Sequence, residues 1–188
     1  MKNALLLHGS CDKEEYYSDE YPSLSNSHWF PWLQKQLLIR DIFTQTPELP
    51  KAYGPTYEDW KKEFERHDIT AETILVGHSC GGGFLVRWLS ENDVNVDKVV
   101  LVAPWLDPEN RRTSDFFDFD VDKNLVAKAN KFHVLYSADD MPSVLESVKK
   151  LTSAVDGLPV TKFENKGHFC FDNLGTEEFP ELLELLIA

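Results

Sequence analysis

The stretch Thr73-Ile-Leu-Val-Gly-His-Ser-Cys-Gly-Gly-Gly-Phe84 decides the fold. Residues 74–76 form a short apolar run that ends at Gly77. Past Ser79 a helical pattern begins, with Phe84, Leu85, Trp88 and Leu89 on one stripe. Strand, Gly-x-Ser-x-Gly and helix in that order describe a nucleophile elbow. The serine occupies a strained strand-to-helix turn whose flanking positions, Gly77 and Gly81, have no room for a Cβ. Gly82 and Gly83 let the helix lie close against the sheet. Ser79 then stands at a helix N-terminus, where backbone N–H groups favour developing negative charge. Without its flanks the five-residue pattern would be an ordinary glycine-rich turn, common by chance; the strand before and the helix after separate the two. A serine so placed calls for an acid and a histidine further along the chain, in that order.

Composition narrows the rest. A chain of 188 residues fits one domain, 1–188, with a sizeable core, and 42% hydrophobic with 27% charged residues describes an ordinary globule. The net charge of −13 argues against nucleic acid, whose backbone needs clustered Lys and Arg. The first residues, Met1-Lys-Asn-Ala-Leu-Leu-Leu-His-Gly, lack the apolar length and cleavage site of a secretion signal, and no apolar run reaches membrane-spanning length. Three cysteines, Cys11, Cys80 and Cys170, do not make a secreted disulfide framework, so a cytoplasmic enzyme is expected.

Outward from the elbow, strands and helices alternate. Residues 4–7 form a buried strand leading into His8-Gly9-Ser10. Residues 11–27 are acidic, rich in Tyr and Ser, and read as a long surface loop. Asn26 or Ser27 is placed to cap a helix through Trp29, Pro31, Leu33 and Leu37. A weak strand over 41–44, a Pro-rich loop over 46–55, and a helix capped by Thr56 and carrying Tyr57, Trp60 and Phe64 come next. Further strands are expected over 98–102, 132–136 and 160–163. Further helices are expected over 121–130, from a Ser143-x-x-Glu146 capping box, and at the end, burying Phe179, Leu182, Leu183 and Leu186. Such alternation implies one mostly parallel sheet of about six strands with helices on both faces.

Ser79, the Asp139-Asp140 pair and His168 each follow the carboxyl end of an expected strand, so a parallel sheet would bring them to one edge. Serine at its own pKa is a poor nucleophile and needs a base, and that base needs an acid to fix its tautomer. The order Ser, Asp, His is that of the α/β-hydrolase fold. Of the other histidines, His8 and His78 suit turn support at strand ends, and His28, His67 and His133, expected in helix or strand, suit surface or core. Either aspartate could be the acid, the other capping a turn. Cys80, the residue after the serine, supplies one oxyanion N–H. The three cysteines lack the close spacing of a zinc site and read as small wall residues. Trp29, Trp32, Trp105, Phe116 and Phe117 would line an acyl pocket or fill core, with Trp29 and Trp105 the choices for substrate contact.

Gly77-His-Ser-Cys-Gly81, His28-Trp-Phe-Pro-Trp-Leu33, Asp139-Asp140 and Gly167-His-Phe169 together resemble the small serine hydrolases that include YdeN-like proteins and the animal retinoblastoma-binding hydrolase. The resemblance spans nearly the whole chain, and the His-Trp-Phe-Pro-Trp-Leu string is its most specific part. It implies Asp140 as the acid and, from the His-Gly-x start of the first loop, Ser10 as the second oxyanion donor. Two departures are the length of the 11–27 loop and Met141-Pro-Ser143 after the acid pair. The expectation is a hydrolase with no large cap domain, no cofactor and no metal, acting on a small acyl substrate: an ester, thioester or amide. Its rival is a protein-interaction module on the same scaffold, since the animal relative is named for a binding partner.

Overall fold

Short apolar runs build the sheet, its central strands buried on both faces. A computed structural model describes residues 2–111 and 115–188. In it the strands β1 (Asn3–Leu7), β2 (Phe43–Gln45), β3 (Thr73–His78), β4 (Val96–Val102), β5 (Ala129–Ser137) and β6 (Val160–Phe163) form one sheet. Their order is β2-β1-β3-β4-β5-β6, and each neighbouring pair is parallel. Every residue of β1 and β3 is buried, as expected of central strands covered above and below.

The two-residue period of the strands divides the core. On one face Leu5, Leu7, Leu75, Val99, Leu101 and Val134 pack against the helices α3 (Tyr57–Phe64), α4 (Cys80–Glu91) and α5 (Pro142–Ala154). Tyr57, Trp60, Phe64, Phe84 and Phe116 meet there edge to face or tilted, all at most 1% exposed. A large apolar side chain buried to that degree contributes about 1.5–3 kcal/mol. On the other face Leu6, Ile74, Val76, Val100 and Val102 meet α2 (Phe30–Leu38) and α7 (Pro180–Ile187) through Phe30, Leu33, Leu37, Leu182 and Leu186. Successive connections leave β1 toward opposite sides of the sheet, so the switch in strand order falls between β1 and β3. Ligands bind outside the carboxyl ends of strands at such a point.

Four local expectations need correction. Residues 121–130 do not form a helix: a 3-10 turn covers Leu125–Lys128, and Ala129 already pairs with Val96. Sheet pairing overrides local helical preference there. The capping box at Ser143 is not used. Pro142, which fixes φ and has no N–H to satisfy, opens α5, and Ser143 sits inside the first turn with its carbonyl taken by Ser147 Oγ at 2.7 Å. Neither Asn26 nor Ser27 caps α2, whose N-cap is Trp29, with Pro31 in the first turn. The 11–27 loop contains a one-turn helix α1 (Lys13–Tyr17) and a 3-10 turn Leu24–Asn26. It is pinned to the 46–55 loop by Tyr16, Tyr17 and Tyr53 ring contacts and by the Ser25 N–H on Glu48. The Thr56 cap forms as expected, its hydroxyl accepting from the Asp59 N–H. No helix among the described residues is long and apolar enough to cross a membrane.

Candidate active site

At the carboxyl end of β3 the chain turns through Ser79 at φ 53° and ψ −121°, a region that non-glycine residues avoid. Backbone bonds hold it there. Its N–H donates to Val102 O at 2.9 Å, and its carbonyl accepts from Gly83 N at 3.1 Å and Trp105 N at 3.0 Å. The turn is possible because its flanks are bare: a Cβ on Gly77 would lie 2.6 Å from Gly81 O, and one on Gly81 would overlap the carbonyls of Leu7 and His8. Helix α4 therefore starts in contact with the end of β1. The loop after β1 closes on the elbow from the other side, with Gly9 against the Ser79 side chain and Ser10 Oγ 3.1 Å from Cys80 Sγ.

Two strands away, β5 ends at Ser137 and the aspartates diverge. Asp140 turns inward, its side chain fully buried, and both carboxylate oxygens lie 3.0 Å from His168 Nδ1; Oδ1 also accepts from Met141 N at 2.6 Å. Asp139 faces outward and binds the loop that carries the histidine. It accepts from Ser137 Oγ at 2.5 Å and Gly167 N at 3.0 Å, and Ser137 Oγ in turn accepts from Lys166 N at 2.9 Å. The Ser137 hydroxyl, followed by the loop amides, holds the Asp139 carboxyl below its ordinary pKa. Ser79 Oγ and His168 are not closed into a hydrogen bond.

The main chain around His168 is gripped residue by residue. Its carbonyl accepts from His78 Nε2 at 2.8 Å, and its N–H donates to Asn173 Oδ1, on the short helix α6 (Phe171–Leu174), at 3.0 Å. The next carbonyl, of Phe169, accepts from Trp29 Nε1 at 3.1 Å, and Phe171 N donates to His28 Nδ1 at 3.2 Å. This corrects two expectations. Trp29 is not a substrate wall: it is 0% exposed, stacked on Phe30 and committed to the histidine loop. His28 is neither in a helix nor a plain surface residue; it lies in a turn at φ 56°, bonded to the same loop. Asn173 and Ser137 were invisible in the sequence, because nothing in their spacing marks them as loop anchors.

Trp105 remains half-buried beside the elbow, edge-on to Phe117 at 5.2 Å. His8 supports the neighbouring loop: its Nε2 accepts from Leu49 N at 2.8 Å, which leaves Nδ1–H to donate to Gly9 O at 2.8 Å. The cysteines form no disulfide. Burial, with Glu15, Glu48 and Asp12 nearby, pushes the Cys11 thiol up to about 11, and burial with Asp140 pushes Cys170 up to about 12. Both are therefore uncharged thiols at neutral pH and poor nucleophiles.

Known proteins share this chain's fold and much of its length. YdeN of Bacillus subtilis (strain 168) is 27% identical over 186 residues, covering 94% of this chain and 95% of YdeN. The crystal structure of the B. subtilis ydeN gene product superposes with a TM-score of 0.82 at 25% identity, covering 100% of this chain and 97% of that one. A bromoperoxidase from Bacillus anthracis shares the fold at a TM-score of 0.60 and 16% identity, with 100% and 92% of the two chains covered. The family model described as serine hydrolase matches residues 20–188, and the chain belongs to that family.

Proposed function

We propose that the chain is a carboxylesterase-like hydrolase that cleaves a small ester, thioester or amide through an acyl-enzyme on Ser79. The observation that carries this reading is the Asp140 carboxylate held 3.0 Å from His168 Nδ1, on the sheet edge where Ser79 stands in a strained turn. Asp140 keeps the proton on Nδ1, so Nε2 presents its lone pair toward the serine. Ser79 Oγ attacks the acyl carbonyl carbon while His168 takes its proton. The N–H groups of Cys80 and Ser10 receive the oxyanion, and Gly9, lacking a side chain, leaves the carbonyl room to approach Ser79. Collapse breaks the bond to the leaving group, which takes the proton from the imidazolium. Water then attacks the acyl-enzyme by the same steps in reverse, releasing the acid.

Substrate size follows from residues 103–121. Phe116 is fully buried against Tyr57, Trp60 and Phe84, so residue 116 packs on the body of the domain, and the span is too short for a separate cap. Trp105 is then the candidate wall for the acyl group. A long chain would find little apolar surface, and short acyl esters are the expected substrates. The test is hydrolysis of p-nitrophenyl esters of graded chain length by the parent protein and by Ser79→Ala. Short esters should lead and the variant should be inactive. Equal hydrolysis by Ser79→Ala would overturn the assignment, and inactivity of the parent toward every ester, with no labelling of Ser79, would favour the interaction module.

A further inference from the structure

Three ring nitrogens from distant parts of the sequence end on one stretch of main chain. His78 Nε2 donates to the carbonyl of His168 at 2.8 Å, Trp29 Nε1 donates to the carbonyl of Phe169 at 3.1 Å, and His28 Nδ1 accepts from the N–H of Phe171 at 3.2 Å. The rings also pack on one another. His78 lies edge-on to His28, Trp29 and Phe30 at 6.2, 5.9 and 6.3 Å, and its ring centroid is 4.9 Å from that of His168. The stretch they hold needs holding: Phe169 sits at φ 58°, a left-handed conformation that a phenylalanine does not adopt unaided.

We propose that His28, Trp29 and His78 form a clamp on the loop that carries His168, with His78 the positioning residue for the base. The proposal rests on the reading of His168 as that base. It also gives the His28-Trp29 segment and the histidine inside the elbow a common purpose: elbow, α2 and histidine loop are joined so that base and nucleophile keep their relative placement. Because the carbonyl can only accept, His78 carries its proton on Nε2. Burial, with His168 and His28 nearby, holds its pKa well below the ordinary value. His78 is thus a neutral neighbour that does not oppose the positive charge His168 acquires during turnover.

The experiment is steady-state kinetics on a short-acyl p-nitrophenyl ester for His78→Leu, His78→Gln and Ser79→Ala, with folding checked by circular dichroism and thermal unfolding. The leucine removes the donor at similar bulk, and the glutamine amide can return an N–H near the position of Nε2. A base displaced by about 1 Å costs roughly 10²-fold, so His78→Leu should lose about that much kcat while KM stays within about threefold. His78→Gln should recover most of that loss, which a purely structural role would not require. A folded His78→Leu with kcat within about threefold of the parent, or a glutamine variant as impaired as the leucine one, would overturn the clamp. Should His78→Leu fail to fold, Trp29→Phe removes the indole bond to Phe169 together with part of a buried ring. Checked for folding in the same way, it should lower kcat about tenfold at unchanged KM, and unchanged kcat would overturn the proposal. Ser79→Ala separates the two levels: activity retained there refutes the serine reading itself, whereas its loss beside an unimpaired His78→Leu refutes the clamp alone.

Discussion

Exchanging each of the neighbouring aspartates for asparagine separates orientation of the base from anchoring of its loop. Asp140 is fully buried, and its two oxygens straddle His168 Nδ1 at 3.0 Å, with one of them also fixed by Met141 N. Asp140→Asn keeps the shape but offers an amide N–H where the histidine expects only acceptors. The favoured tautomer then carries its proton on Nε2, and the serine loses its base. Triads of this type lose about 10⁴-fold in kcat when the acid becomes an amide. That is about 5.5 kcal/mol of transition-state stabilisation at about 1.36 kcal/mol per tenfold. Asp139→Asn retains an oxygen for Ser137 Oγ and Gly167 N and loses only the charge assistance of an exposed group. Its kcat should fall by less than about tenfold. Initial rates on a short-acyl ester, beside circular dichroism spectra of both variants, give the comparison. A crippled Asp139→Asn with a near-normal Asp140→Asn would refute the reasoning and exchange the roles.

Two further outcomes follow from the packing. Burial lowers the pKa of His8, His28, His78 and His133, whereas in the unfolded chain each titrates near about 6.5. Below that pH the unfolded state takes up protons that the folded state refuses, so stability is complete above about pH 7 and falls as pH drops toward about 5. Thermal midpoints measured across that range should decline well before carboxylates titrate, and a flat profile would contradict the burial of neutral imidazoles. Gly81→Ala places a methyl group on the carbonyls of Leu7 and His8, forcing α4 away from β1. A destabilisation of about 1–3 kcal/mol or more is expected by denaturant unfolding, together with loss of the proposed hydrolase activity, and a variant as stable as the parent would show that the helix has room to move.

The elbow was legible because its geometry restricts residue type: a serine at positive φ between a strand and a helix leaves only glycine for positions 77 and 81. The strands were legible from apolar runs, and the parallel sheet from their alternation with amphipathic helices. What the residues did not carry were matters settled by tertiary contact. Which aspartate turns inward depends on how the chain leaves Ser137, and both candidates have the same chemistry. Trp29 has the composition of a pocket wall, but α2 lies on the face of the sheet under the histidine loop, so its indole is spent on Phe169 O. Residues 121–130 look helical in isolation, yet pairing of Ala129 with Val96 draws the end of that segment into β5. Asn173 and Ser137 act through single hydrogen bonds to a loop whose position no local pattern encodes.

The central claim, an activated nucleophile at Ser79, is tested most directly by mass spectrometry after exposure to a fluorophosphonate probe. The account predicts one stoichiometric adduct on the intact protein, mapping to the peptide that contains Ser79, lost in Ser79→Ala and much slower to form in Asp140→Asn. An unmodified parent protein, or an adduct that persists in Ser79→Ala, would contradict it.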